Sequence, residues 1–282
     1  MPNLRTKALA AISATVVTFA GGVVAATPAL ALAPVPTVVV HVSGKSVSLS
    51  TGNRMHAGRT VFKVVTRKGD HTLQIARLRN GYTLAQAGAD LNKAFGGDVR
   101  AIRRVDRNVV FRGGAEARPN KPGRFAVTLP RGKFVFIDQN SNAFTMVTVF
   151  GKIPHRQTLP NRASITAFTY GFVTARAPAA VPHKGWFLFR NKADQPHFVE
   201  FQHVKQSTTN AQVRRFFKHG GQSQPSFALP GSYGIGVLTQ GQHAGQFINL
   251  APGKYLIACF WPDDRTGMPH AFMGMWKLIQ LT

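Results

Sequence analysis

An internal repeat constrains the fold of this chain more than any other feature of its sequence. Leu129-Pro-Arg-Gly-Lys-Phe134 parallels Leu250-Ala-Pro-Gly-Lys-Tyr255, and His71 parallels His197 at a distance of 126 residues. A repeating unit of roughly 120 residues is far longer than the units of solenoid proteins. The sequence therefore predicts two tandem domains with the same order of elements.

Each repeat is predicted to be mostly β, because apolar and polar side chains alternate along several short segments. The predicted strands are 38–42, 47–50, 61–65, 71–78, 124–129, 133–137 and 144–150, then 165–173, 185–190, 197–204, 246–250, 254–260 and 275–281; the predicted helices are 83–95 and 208–218. About seven strands and one bridging helix suit a two-sheet antiparallel sandwich. We expect the domains to span 35–152 and 163–282, because Pro154 and Pro160 interrupt the pattern between them.

Residues 1–31 are predicted to be a signal peptide. Arg5 and Lys7 precede an apolar run, and Ala29 and Ala31 offer the small residues that a signal peptidase recognises. An uncleaved anchor is the alternative, since the apolar run approaches the length that spans a bilayer. Cleavage is favoured because the small residues are well placed. We expect a secreted, extracytoplasmic protein, either free or associated with the cell surface, with no transmembrane span after cleavage.

The charge balance is strongly basic. The chain has 35 Lys plus Arg against 10 Asp plus Glu, a formal net charge of +25. Such a field attracts polyanions, including anionic cell-envelope polymers. The dense cluster between Arg100 and Arg107 accompanies no zinc-finger spacing, aromatic RNA-binding motif or long basic helix, so we expect no specific nucleic-acid binding. A soluble cationic surface is the simpler interpretation. No catalytic triad, phosphate loop or carboxylate pair stands out, and the chain is not expected to be an enzyme.

The only cysteine of the chain, Cys259, precedes His270 and Met275. One cysteine cannot form an intramolecular disulfide, and outside the cell a lone thiol is a liability unless it is buried, metal-bound or paired between chains. A thiolate, an imidazole and a thioether are the soft ligands that select copper. An inert core thiol is the alternative, because strand alternation places Tyr255, Ile257 and Cys259 on one face.

Three segments of the second half resemble the ligand-bearing parts of plastocyanin-like cupredoxins. Asn191-Lys-Ala-Asp-Gln-Pro-His197 resembles the loop and strand that carry the first copper histidine. Pro252-Gly-Lys-Tyr-Leu-Ile-Ala-Cys259 resembles the cysteine strand, and His270-Ala-Phe-Met-Gly-Met275 resembles the following His-x4-Met segment. The second half as a whole resembles secreted bacterial cupredoxin-like proteins, and the first half resembles them more weakly. The resemblance implies an all-β fold of two tandem cupredoxin-like Greek-key β-sandwiches, each with a short bridging helix, after the signal peptide.

The resemblance also implies a metal site in the second half, with His197, Cys259, His270 and Met275 as the ligands of a type 1 copper ion. Two imidazoles and the thiolate would form a trigonal plane with the thioether as a weak axial ligand. Met273 is a second, less favoured axial candidate because it lies so close to His270 in sequence.

The first half lacks this ligand set. Aligned on the shared turn, Asp138 corresponds to Cys259, and the position of His270 falls near Asn142, so only His71 is retained. The first half is therefore interpreted as a scaffold or docking copy.

The chain departs from plastocyanin in the segment between the cysteine and the second histidine, where ten residues, 260–269, stand in place of a few. Copper nitrite reductases resemble it more closely, because their loop is also long and also ends in His-x4-Met. Pro262, Gly267 and Pro269 favour turns, so the loop could fold outward and return His270 to the sulfur. A loop that never encloses a metal is the alternative.

Three functions remain open at this level. The first is a secreted copper-binding, type 1-like protein for one-electron transfer or copper handling, which would work with a redox partner protein. The second is a metal-free cupredoxin-like module that binds a protein partner or an anionic cell-envelope polymer. The third is a copper enzyme, although the sequence shows no obvious second catalytic metal cluster.

Overall fold

The computed structural model describes residues 35–79, 81–154, 158–159, 163–175, 181–221 and 224–282. The predicted signal peptide lies outside these residues and stays a prediction. Within the described residues, no helix is both long and apolar enough to cross a bilayer.

The described chain is mostly strand, as predicted. The strands are β1 Thr37–Val42, β2 Val47–Leu49, β3 Arg54–His56, β4 Gly58–Val65, β5 His71–Leu78, β6 Val109–Ala117, β7 Gly123–Leu129, β8 Gly132–Asp138, β9 Phe144–Phe150, β10 Ser164–Phe168, β11 Gly171–Ala175, β12 Lys184–Asn191, β13 Glu200–Val204, β14 Ala228–Gly234, β15 His243–Asn249, β16 Gly253–Ala258 and β17 Trp276–Leu281. The helices are α1 Leu84–Phe95, α2 Val99–Asn108 and α3 Asn210–Lys218, and a 3-10 turn covers His270–Met273.

The strands form two sandwiches that share one sheet. The eight-stranded sheet has the order β11-β10-β12-β15-β7-β4-β1-β2, and antiparallel pairing of β7 with β15 joins its two halves. A five-stranded sheet, β3-β9-β8-β5-β6, covers the first half, and a four-stranded sheet, β14-β13-β16-β17, covers the second. Buried aromatic rings fill the space between the layers: Phe62 meets Phe136 in the first sandwich, and Phe187 meets Phe201 in the second.

The strand pairing corrects one prediction, because the eight- and five-stranded sheets are mixed and only the four-stranded sheet is purely antiparallel. β1 pairs with β4, β3 with β9 and β10 with β12 in parallel. Pairing direction depends on which distant segments meet, and local alternation carries no information about that. The predicted strand 165–173 is also wrong as one element: it is the hairpin β10–β11, turned at Tyr170, which has a φ of 58°.

Two further elements differ from the prediction. The first half has a second helix, α2, which holds the arginine cluster and whose Asp98 side chain caps the backbone N–H groups of Arg100 and Ala101. The predicted strand 197–204 begins only at Glu200; His197 precedes it and forms a separate bridge with Leu238.

Local chemistry repeats between the halves. Thr83 begins α1 and Thr209 begins α3, each with a capping box to a glutamine three residues later, and the two threonines are separated by the same 126 residues as the paired histidines. The domain bounds 35–152 and 163–282 stay a prediction. Residues 35–282 form one compact unit, because the shared sheet joins the halves.

The halves also meet at two glycine backbones. The N–H of Gly236 donates to the carbonyl of Gly114, and a Cβ added at Gly236 would lie 2.1 Å from the Gly114 nitrogen. The buried Gln74 amide also joins the two halves at this contact, called here the seam, because it accepts from the N–H of Val237 and donates to the Val237 carbonyl. The seam tolerates no side chain at these glycines.

Gly236→Ala is therefore expected to lower the free energy of unfolding by about 3 kcal/mol, since the atom that must move is backbone. Gly171→Ala is the control, because a Cβ there meets no atom within 4 Å, and its effect should stay within about 0.5 kcal/mol. Urea denaturation of both variants measures the difference. Equal effects would contradict a close backbone contact at Gly236.

Candidate metal centre

Pairing of β13 with β16 positions the first two predicted ligands. Glu200 lies opposite Ala258 in this antiparallel pair, so continuation of the register places Val199 beside Cys259. His197 lies two residues before Val199, in a segment that its bridge to Leu238 holds in place. The imidazole and the sulfur therefore meet at one end of the second sandwich.

His197, Cys259 and His270 converge there. Cys259 Sγ lies 3.5 Å from His197 Nδ1 and 3.8 Å from His270 Nδ1, and the two Nδ1 atoms are 3.1 Å apart. Three metal bonds of about 2.0–2.3 Å would place such atoms about 3.5–3.9 Å apart, which fits both sulfur–nitrogen distances, whereas the two nitrogens lie closer together than that. Within the described part of the chain, these three residues are the one group of His, Cys and acidic side chains close enough to hold a metal ion.

Burial makes this cluster electrically neutral without a cation. His197 is 1% exposed, and Cys259 and His270 are 0% exposed. Burial raises the pKa of the Cys259 thiol to about 12, although backbone hydrogen bonds at Phe198 and Trp261 oppose this. Burial lowers the pKa of His197 to about 2 and of His270 to about 4, so both imidazoles are neutral at pH 7. Neutral imidazole nitrogens and a sulfur that turn toward one point fit a soft cation.

Met275, the fourth predicted ligand, is also fully buried. Its N–H donates to the His270 carbonyl, and its carbonyl accepts from the N–H of Cys259. Gly274, with a φ of 102°, ends the 3-10 turn and returns the chain to β17. Met273, the less favoured axial candidate, is only half-buried and accepts a contact from the Thr266 hydroxyl.

The ten-residue loop returns His270 to the sulfur because its base is closed by backbone hydrogen bonds. The His270 N–H donates to the Trp261 carbonyl at 2.9 Å, and the Ala271 N–H donates to the Cys259 carbonyl at 2.7 Å. Further out, Pro262 and Pro269 form a bridge. The loop 260–269 therefore leaves the end of β16 and returns to it.

The buried Asp263 carboxylate holds the loop together. Its Oδ1 accepts from the N–H groups of Arg265 and Thr266 and from the Thr266 hydroxyl, and its Oδ2 accepts from Tyr170 Oη at 2.7 Å and Gln195 Nε2 at 3.0 Å. Burial alone would raise the pKa of Asp263, but the hydrogen bonds from Tyr170, Gln195 and Thr266 outweigh it and hold the pKa well below its usual range.

Gln195 connects this carboxylate to the metal cluster. Its Oε1 accepts from His270 Nε2–H at 3.1 Å and from the N–H of Asp264 at 3.0 Å. A proton on Nε2 leaves the lone pair of His270 Nδ1 directed at the cluster. The Tyr170 ring also packs edge-on against the His270 ring, with centroids 5.7 Å apart. Gln195 and Tyr170 therefore orient the second histidine.

The first half supports the outer side of the loop. Trp261 packs edge-on against Phe95 of α1 and Phe111 of β6, and Arg103 Nε of α2 donates to the Asp264 carbonyl. The first half thus contacts the loop directly, and its role as a scaffold or docking copy stays a prediction.

The corresponding place in the first half is occupied by protein hydrogen bonds. In the first half Leu73 pairs with Asp138, just as Val199 lies beside Cys259 in the second half. Asp138 therefore occupies the position that corresponds to the thiol. His71 Nδ1 lies 2.7 Å from Asp138 Oδ2, and its Nε2 lies 3.0 Å from the Lys68 carbonyl. Both nitrogens of His71 are thus already occupied.

Comparison with known proteins gives remote structural neighbours only. No family model and no curated protein sequence matches this chain. Among solved structures, auracyanin A, a "blue" copper protein from Chloroflexus aurantiacus, is 14% identical, and the match covers 40% of this chain and 99% of that one with a TM-score of 0.28. The copper nitrite reductase from Nitrosomonas europaea is 10% identical, with 88% and 94% coverage and a TM-score of 0.23. A multi-copper oxidase from Pediococcus acidilactici is 7% identical, with 88% and 59% coverage and a TM-score of 0.25. These scores assign no function.

The sequence analysis selected the three side chains that converge, but it did not identify the residues that orient them. Asp263 lies in a turn that its Oδ1 stabilises, but its Oδ2 binds Tyr170 and Gln195 outside the loop, which the sequence does not reveal. Gln195 and Tyr170 carry no sequence signal of their own. The position of Gln195 two residues before His197 is the one local hint that it could turn back toward the site.

Proposed function

We propose that this protein holds one copper ion in the second sandwich and transfers single electrons. The observation that carries the proposal is the convergence of Cys259 Sγ with the Nδ1 atoms of His197 and His270 at 3.1–3.8 Å, all three side chains being buried. His197, Cys259 and His270 would hold the ion, and the buried Met275 would supply a thioether as the fourth ligand. Copper supplies exchange between two oxidation states separated by one electron.

The burial of the cluster favours an electron carrier over an enzyme and over copper handling. A substrate molecule would need open access to the ion, and an exchangeable ion would need ligands that reach solvent. Here both histidines are at most 1% exposed, and Gln195 and Asp263 fix the orientation of His270. An electron can pass through packed side chains to a docked redox partner protein. We place this activity outside the cytoplasm, in keeping with the predicted signal peptide.

Copper loading of the purified chain tests the proposal. One equivalent of Cu(II) should give a strong visible thiolate-to-copper band, with one copper per chain by elemental analysis after dialysis. A one-electron reductant should bleach the band, and reoxidation should restore it. A colourless protein, or copper lost on dialysis, would rule the proposal out.

A further inference from the structure

We propose that a groove between the two sandwiches binds an anionic segment of a polysaccharide. The groove, called here the basic groove, has a volume of about 660 Å³ and lies where the end of β6 and the start of β7 meet β14 and β15. It belongs to a different part of the fold from the metal cluster. Tyr255 lines it four residues before Cys259 on the same strand, about 13 Å away at the rise of a β-strand.

The charge of the basic groove is positive and unpaired. Lys121, Arg124 and Lys184 line it, all three are exposed, and none forms an ion pair with a described residue. The lining has a single carboxylate among the described residues, that of Glu116, which pairs with Arg118 and accepts from the N–H of Gly234. Three cations therefore remain for an anionic ligand.

Aromatic rings beside the cations suit a ligand made of rings. Phe247 is half-buried in the groove wall, and the Arg124 guanidinium lies 5.6 Å from its ring centre. His203 stacks on Tyr255 with centroids 4.7 Å apart. Apolar ring faces with a few convergent polar groups characterise sites for organic ligands, and three exposed cations in one groove attract a ligand with several negative charges. A sugar chain that bears carboxylates or phosphates combines these properties.

Binding of an oligogalacturonate to the full-length protein tests the proposal. Its methyl ester has the same rings without charge, and inorganic phosphate has the charge without rings. We expect the oligogalacturonate to bind at low salt, its affinity to fall steeply as salt rises, and the ester and phosphate to bind at least tenfold more weakly. Equal binding of the ester or of phosphate would overturn the proposal.

Two sets of variants separate the groove from the general charge of the protein. Lys121→Gln/Arg124→Gln/Lys184→Gln should raise the Kd at least tenfold, whereas Lys45→Gln/Lys152→Gln/Lys218→Gln, which removes as many exposed charges elsewhere, should change it less than twofold. Equal losses in both triple variants would contradict a defined site. Copper-free protein should bind equally well, so this result is independent of the proposed copper function.

Discussion

Cys259→Ser is expected to abolish the visible band of the copper-loaded protein and to weaken copper binding by at least ~100-fold, because hydroxyl oxygen is a poor ligand for a soft cation. The thiol is fully buried and lies against two imidazoles, and the sequence has no second cysteine to replace it. Titration with a competing chelator measures the affinity, and absorption spectroscopy measures the band.

The alternative of an inert core thiol makes a different prediction for the same variant. Serine in place of an inert cysteine would change the stability of the metal-free protein by about 1 kcal/mol and leave copper binding as it was. His71→Ala is the matched control, because His71 is the counterpart of His197 in the first half and bonds only to Asp138 and Lys68. Its copper affinity should equal that of the wild type. A band that survives Cys259→Ser would contradict the proposed site.

The strands were easier to predict from the sequence than the helix α2, because strand patterns depend on neighbouring residues and α2 depends on tertiary packing. The predicted strands 71–78 and 144–150 coincide with β5 and β9, and in β9 the alternation marks one buried face, which carries Val147 and Val149. The helix α2 was missed because its charged residues outnumber its apolar ones, and only Ala101, Ile102 and Val105 reach the core. Its stability comes from tertiary packing, which local propensity does not describe.

The metal cluster is likewise predictable only in part: the sequence indicates the ligand types, but not the contacts that bring them together. A lone cysteine followed by His270 and Met275 is a sequence signal, because the ligand types themselves carry the chemistry. The return of His270 depends on Asp263 reaching Tyr170, which is 93 residues away, and on Gln195, which is 68 residues away. Such contacts exist only after β10, β11 and the loop have packed together. Polar residues in turns look alike in sequence whether they are solvated or buried.

Loss of the Asp263 carboxylate tests whether this network holds the loop. Asp263→Ala should lower the free energy of unfolding by about 3–5 kcal/mol, since it removes the charged acceptor of the buried Gln195 amide and of the half-buried Tyr170 hydroxyl. It should also weaken copper binding by about 10- to 100-fold, because the orientation of His270 depends on Gln195. Asp264→Ala is the neighbouring control: its Oδ1 makes no hydrogen bond, so we expect a change below about 1 kcal/mol.

The pH dependence of Asp263→Asn separates charge from shape. The folded pKa of Asp263 is lowered, so its carboxylate stabilises the fold fully above the unfolded value of about 3.9, and this contribution is lost as the pH falls further. The stability difference between wild type and Asp263→Asn should therefore be about 2–4 kcal/mol at pH 7 and smaller at pH 3. Urea denaturation of the metal-free proteins at both pH values measures it. A stability difference that does not shrink in acid would mean that Asp263 acts through packing alone. The backbone hydrogen bonds to the carbonyls of Trp261 and Cys259 would then be what brings His270 back to the sulfur.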